Sequence, residues 1–373
     1  ASALAARPAG DAVLARPWLR DNERTFWLSR SAWSLRAIAQ LRMLVTARQR
    51  VRAWFPAYFC NESLRPLRDL GTQIDFYPVL PDGSANLDAC GVMIASGPPD
   101  IVVAVHYFGQ PATLSGLARL AVESGAWLVE DAAHVLRPSP GIGETVDFVL
   151  YSPHKLLPIP DGALLLIREN GPGRVCGENL AIHDFPGLHA AIVYGSAPSE
   201  HASKMWLIKR LSQRLGMRWN HVVTPDFLDD DRSADSRPFP APGMSGLARR
   251  LLGALIADLE GEDAIRRRNC AAWSAHLKPA GVLPDEMNAL PQWETPYLAG
   301  IQLSNPTIAG KLYDLLRQVN VPVASWPDLP PEVLADAARQ HVAITLRRIR
   351  VFLPVHRSIS PGSVQSAMGR ATR

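Results

Sequence analysis

Cysteine is scarce in this chain. Only four occur in 373 residues, Cys60, Cys90, Cys176 and Cys270. They are scattered, and no two have metal-ligand spacing, so neither a disulfide scaffold nor a zinc module is expected. Reduced thiols in a cytoplasm fit this usage. No apolar run approaches the roughly 18 residues that span a bilayer, which argues against a membrane segment. The opening ASALAARPAG has small residues but no charged stretch ahead of an apolar one, so no secretory signal is expected. There is no internal repeat, low-complexity tract or dense basic stripe. The balance of 39 basic and 35 acidic residues gives a net charge of only +4, and nucleic-acid binding is not expected.

What is present is core. Hydrophobic residues make up 47% and charged residues 20%, and the length suits two linked domains rather than one. The spacing predicts a helix over 31–45 (SAWSLRAIAQLRMLV) opened by a Ser31 cap, a short strand at 51–55 and a helix at 60–71 closed by Gly71. A second strand is expected at 73–79. DIVVAVHYFG (100–109), TLSGLARLAVESG (113–125) and AWLVEDAAH (126–134) read as a βαβ unit. Its strands are apolar on both faces, which implies a parallel sheet. Two further strands follow, VDFVLYS (146–152) and GALLLIRE (162–169).

Beyond residue 175 the pattern loosens. A helix is expected at 203–216, then a polar, Pro-rich stretch at 225–242, then one long helix or two over 244–277. A second α/β unit covers 298–327, with a helix at 332–349 and a final strand at 350–356. The division this suggests is an arm at 1–28, a large domain at 29–240 and a small C-terminal domain at 241–373.

Ligands in such sheets sit beyond the carboxyl ends of the strands. His106, Asp131, Ser152 and Lys155 all lie at such ends. A carboxylate such as Asp131 can hold a pyridine nitrogen protonated, which makes the ring an electron sink. A lysine such as Lys155, flanked by SPH and LLPIPDG between two buried strands, can form a Schiff base with a carbonyl. Ser152 can donate to a phosphate oxygen, or can simply be a turn residue before Pro153. The N–H groups of Ser31, Ala32 and Trp33, at the start of the first helix, can cradle a phosphate or be plainly capped. Glu130 points away from Asp131 and reads as structural. The histidines of HDFPGLH (183–189), together with His201, lack a third ligand of convincing spacing and read as loop residues. The charge clusters at 266–268 and 347–348 read as solvated faces or partner-chain salt bridges.

Three ordered segments, VHYFGQPA, WLVEDAAH and YSPHKLLPIPDGALL, resemble the DegT/StrS-type sugar aminotransferases among the fold-type I enzymes dependent on pyridoxal 5'-phosphate (PLP). The resemblance runs over about residues 29–373 and is strongest over 101–167. It implies an aspartate-aminotransferase-like α/β fold, with a mostly parallel central sheet and a smaller α/β C-terminal domain. It implies that Lys155 carries PLP as a Schiff base, that Asp131 pairs with the pyridine nitrogen, and that His134 contacts the ring hydroxyl. Tyr58 or Phe59 would stack on the ring, and Ser152, Ser31 and Ala32 would serve the phosphate. The implied partners are an amino donor (glutamate by analogy), a keto acceptor such as a keto-sugar nucleotide, and a second copy of the chain sharing the active site. The chain departs from the pattern in SRSAWS (29–34), which has no glycine, and in Asp161-Gly162-Ala163, where D-G-G is usual. Its Ser-Pro-His-Lys is closer to class V aminotransferases and desulfurases. Transamination leads this reading. Another PLP reaction (decarboxylation, β- or γ-replacement, carbon–carbon bond formation) and a non-catalytic PLP-fold partner protein stand behind it.

Overall fold

A computed structural model describes residues 9–20, 23–168, 171–175, 184–194, 200–214, 226–228, 239–277 and 294–371. The apolar runs become the strands β2 (Arg52–Pro56), β3 (Gln73–Tyr77), β4 (Ile101–Val105), β5 (Trp127–Ala132), β6 (Phe148–Tyr151) and β7 (Ala163–Ile167). All but the edge strand β3 are buried on both faces. Every residue of β4, β5, β6 and β7 is buried. Sequence patterning did not reveal β1 (Arg24–Leu28), which lies within the stretch expected to be an arm and adds an antiparallel edge strand to β7.

The seven-stranded sheet has the order β1-β7-β6-β5-β4-β2-β3. The block from β6 to β3 is parallel, and β7 runs antiparallel to both of its neighbours. The parallel steps align the carboxyl ends of β4, β5 and β6. In the register Val105 lies opposite Asp131, and Asp131 opposite Leu150. That edge carries the candidate site.

Helix α1 (Ser31–Thr46) packs across this sheet. Its N-cap is Arg30 in an extended conformation without a side-chain capping bond, so Ser31 is the first helical residue and not the cap. The 60–71 segment is a 3₁₀ turn (Asn61–Leu64) followed by a short α-helix (Arg65–Asp69). Pro66 falls in that helix's first turn, where its missing N–H costs no intrahelical bond.

A second sheet, order β8-β10-β9, is antiparallel throughout and built from β8 (Ala299–Gln302), β9 (Ala324–Ser325) and β10 (Arg350–Leu353). The 244–277 stretch is two helices in succession, α2 (Gly246–Leu255) and α3 (Leu259–Leu277), with a 3₁₀ turn between them. Ala248 and Leu252 of α2 and Phe352 of β10 join the core of the large sheet, whereas Trp273, Ile301, Tyr313 and Val351 form a second core. Apolar packing therefore continues across residue 240.

The buried stripe of α3 is Leu259, Glu262, Arg266, Asn269, Trp273 and Leu277. Its polar members are all bonded. Arg266 pairs with Glu262 and donates to the carbonyls of Leu156, Pro296 and Tyr297. Asn269 donates to the carbonyls of Val355, His356 and Ile359. Arg266 is thus not on a solvated face, and neither is Arg347, which is buried and ion-paired to Asp328. His189 bonds the Trp27 carbonyl, while Cys176, His183 and most of 225–242 lie outside the described residues.

Candidate active site

A cavity of about 320 Å³ opens where the carboxyl ends of β4 and β5, the start of α1, and the β9–β10 edge meet. Of the residues singled out in the sequence, Asp131, His134, Lys155, Ser31, Ala32 and Phe59 lie on its wall. Tyr58 does not. It is fully buried and stacks on Trp326, with centroids 4.3 Å apart. Ser152 is also fully buried and lies behind the wall.

Lys155 sits on a single helical turn, Pro153–Leu156, entered at Ser152 directly after β6. That turn reverses the chain and brings the Lys155 Nζ to 3.4 Å from the His134 Nε2. The backbone N–H of Phe108 donates to His134 Nδ1 at 3.3 Å, so the ring proton belongs on Nε2. Burial, and then the neighbouring charge of Lys155, pushes the His134 pKa well below the ordinary imidazole value. His134 is therefore a neutral donor facing the lysine amine. Tyr297 lies flat against its ring, at 4.2 Å and 6°.

The backbone supplying that N–H is strained. Phe108 has φ 58, in the left-handed region that bulky residues avoid. Gly109 follows at φ +98, and a Cβ there would lie 2.6 Å from the Thr295 carbonyl oxygen. Next to this corner, His106 accepts the Ala112 N–H on Nδ1 and donates from Nε2 to Glu130, both residues being fully buried. Glu130 faces away from the cavity, as strand alternation requires.

Asp131 accepts the Ala133 N–H on Oδ1 at 3.0 Å. Its other oxygen has no hydrogen-bond donor among the described residues and opens on the cavity. Burial raises its pKa, opposed by the Lys155 charge, the Ala133 N–H and His106. A buried carboxylate with one bare oxygen is a place for a cationic N–H.

Sequence reasoning missed Arg30, Tyr297 and Trp326. Arg30 is on the wall immediately before α1, and Tyr297 and Trp326 line the opposite side. No local pattern marks them, since each enters the site through contacts with residues more than a hundred positions away.

The sequence between residues 96 and 147 matches the model of the DegT/DnrJ/EryC1/StrS aminotransferase family. No curated protein matches the chain. Among solved structures, the aminotransferase TlmJ from Streptoalloteichus hindustanus superposes with a TM-score of 0.66 at 18% identity, over 98% of this chain and 90% of that one. A DegT DnrJ EryC1 StrS aminotransferase from Brucella abortus gives 0.64 at 15% identity, over 100% and 92%. The PLP form of Spr1654 from Streptococcus pneumoniae gives 0.69 at 12%, over 98% and 91%.

The donor set fits PLP. Asp131 offers a bare oxygen for the pyridine N–H, and the His134 Nε2–H suits a ring oxygen beside the lysine. At the other end, the N–H groups of Ser31 and Ala32 have no acceptor among the described residues, whereas the Trp33 N–H, expected with them, is already spent on the Arg30 carbonyl at 3.1 Å. The Ser152 hydroxyl, three residues before Lys155, is buried without a partner among the described residues. The resemblance carried by VHYFGQPA and WLVEDAAH is thus borne out by the family match over 96–147, and the described body has the fold-type I architecture of PLP-dependent aminotransferases.

Proposed function

We propose that this chain is a PLP-dependent aminotransferase that passes an amino group from an amino acid donor, glutamate by analogy, to a keto-sugar nucleotide or another ketone. The observation that carries this reading is one cavity wall holding the Lys155 amine, the neutral His134 and the half-satisfied Asp131. When bound, PLP supplies an electron sink for cleavage of a bond at the substrate carbon. Lys155 would hold the cofactor through its amine, and that amine is the group placed to carry a proton at the reacting centre. Asp131 keeps the ring nitrogen protonated. His134 would offer its Nε2–H to a ring oxygen of the cofactor beside the lysine. Phe108 and Tyr297 fix the tautomer and the plane of His134. Trp326 and Phe59 line the same walls and limit water.

We further propose that the chain acts as a homodimer in a cytoplasmic biosynthetic pathway, with a second copy completing the cavity. Among the described residues no helix is long and apolar enough to cross a membrane.

The test is the visible absorbance of the lysine-bound cofactor in purified protein. Wild type should be yellow, and glutamate should shift the band as the cofactor takes the amino group. Lys155→Ala should lose both the band and turnover, by about 10⁴-fold or more. A Lys155→Ala protein that kept the same band would show that another amine carries the cofactor.

A further inference from the structure

One wall of the cavity carries a cation, Arg30, part of whose donor face has no acceptor among the described residues. Arg30 is partly buried at the N-cap of α1, and burial lowers its pKa, with Asp161 and Glu62 opposing. Its Nη1 donates to the carbonyls of Ser29 and Pro160, at 3.0 and 3.3 Å, and one Nη2 hydrogen also meets Pro160 at 3.3 Å. These bonds occupy the end of the guanidinium and fix its plane. The side-on pair, Nε–H and the second Nη2–H, has no acceptor among the described residues. No carboxylate of the described residues lies within ion-pair distance of Arg30 either. Arg30 is only partly buried, and the residue lines the cavity. Two parallel N–H groups in this arrangement match two oxygens of a phosphate.

The surroundings point the same way. Ser31 and Ala32, on the same wall, follow Arg30 directly and begin the helix whose dipole favours an anion. The hydroxyl of Ser152, two residues before the wall residue His154, is buried without a partner among the described residues. His154 also lines the cavity, but burial first, then Arg30 and Lys155, hold its pKa well below the usual range. Its Nδ1 proton is spent on the Gly162 carbonyl, at 3.0 Å. His154 therefore adds no charge, and Arg30 is the fixed cation of this wall.

We infer that Arg30 is the phosphate-binding residue of the cofactor site. Its anchored guanidinium grips two phosphate oxygens side-on, so the main charge on the phosphate comes from the same chain that supplies Lys155. This rests on the PLP reading above and adds a residue to it.

The test compares PLP with pyridoxal, which lacks the phosphate, on cofactor-free full-length protein. Both are titrated by the absorbance of the lysine-bound form. In Arg30→Met the affinity for PLP should fall about 10-fold or more while that for pyridoxal stays within about 2-fold; Arg30→Lys, which keeps charge but loses the fork, should fall between. A second arm uses inorganic phosphate alone. It should raise the melting temperature of cofactor-free wild type, and Arg30→Met should lose most of that shift.

Equal weakening toward PLP and pyridoxal would make Arg30 a structural residue. A raised KM for the amino donor with an unchanged PLP-to-pyridoxal ratio would make it a substrate residue. Either result overturns the inference. If wild type formed no lysine-bound cofactor but kept an Arg30-dependent phosphate shift, the PLP reading would fall and Arg30 would stand as an anion site. If the shift did not depend on Arg30, the inference would fall.

Discussion

Replacing Asp131 by Asn separates the cost of building this site from its use. Asn has the same shape, and its side-chain oxygen still accepts the Ala133 N–H that Asp131 accepts at 3.0 Å. What disappears is a carboxylate that is only 7% exposed and has one oxygen without a donor among the described residues. Burial raises its pKa in the folded protein, and Lys155 only partly opposes this. The sign follows from linkage. The folded state binds this proton more tightly than the unfolded state, whose carboxyl titrates near pH ~3.9. The contribution of Asp131 to stability is therefore fully present below that pH and is lost as pH rises through the folded value. Asn has no such dependence. Without cofactor, Asp131→Asn should match wild type below pH ~4 and exceed it at pH 8, by about 1–2 kcal/mol, the usual penalty for an under-satisfied buried polar group. With the pyridine N–H in place the order reverses, because the carboxylate gains its partner, and turnover should fall by about 10²-fold or more. Urea unfolding of the cofactor-free proteins at several pH values between about 3.5 and 8 measures the first effect. An Asn variant less stable than wild type at pH 8 would mean that the carboxylate is already paid for by contacts of the empty fold, and the reasoning would fail.

Arg266→Met should cost about 3 kcal/mol, because it leaves Oε1 of the buried Glu262 without its cation, only Arg357 remaining on Oε2, and frees the carbonyls of Leu156 and Tyr297. Chemical denaturation should show it, and adding Glu262→Met should restore part of the loss, since Arg357, the other partner of Glu262, is partly exposed and can turn to water. Gly109→Ala should destabilise by about 2 kcal/mol or more, given φ +98 and the 2.6 Å approach to Thr295. A melting curve identical to that of wild type would show that the corner is not tight.

The parts of the fold legible in the sequence are those whose residues share one environment. β4 and β5 are apolar throughout because both faces are covered, and IVVAV and WLVEDA announce it. β1 is illegible for the opposite reason. In RTFWL only Trp27 and Leu28 are buried, and the strand exists because β7 offers it an edge. Helix α3 was legible as a helix but not in its orientation. Glu262, Arg266 and Asn269 lie on its buried stripe, so hydrophobic periodicity assigns the arginine to solvent. The site divides similarly. Asp131 and Lys155 stand out because charge interrupts apolar runs. Arg30 acquires its geometry from the Pro160 carbonyl, 130 residues along the chain, and SRSAWS contains no trace of that bond.

The departures from the family pattern are explained by which groups the backbone supplies. SRSAWS has no glycine, yet the N–H groups at the start of α1 are offered by main chain, and a serine or alanine presents them as well as a glycine does. Ser31 and Ala32 lie within the helix and neither has positive φ, so no glycine is required there. The D-G-A segment follows the same logic. Gly162 has φ +126, and its carbonyl holds His154 while its N–H meets the Ser29 carbonyl at 3.0 Å, so that glycine is required. Ala163 is already the first residue of β7, in extended conformation, where a side chain is welcome. The chain thus keeps glycine where the conformation demands it and drops it where only an N–H is needed. A motif read letter by letter registers two losses where the backbone conformation needs no glycine at either position.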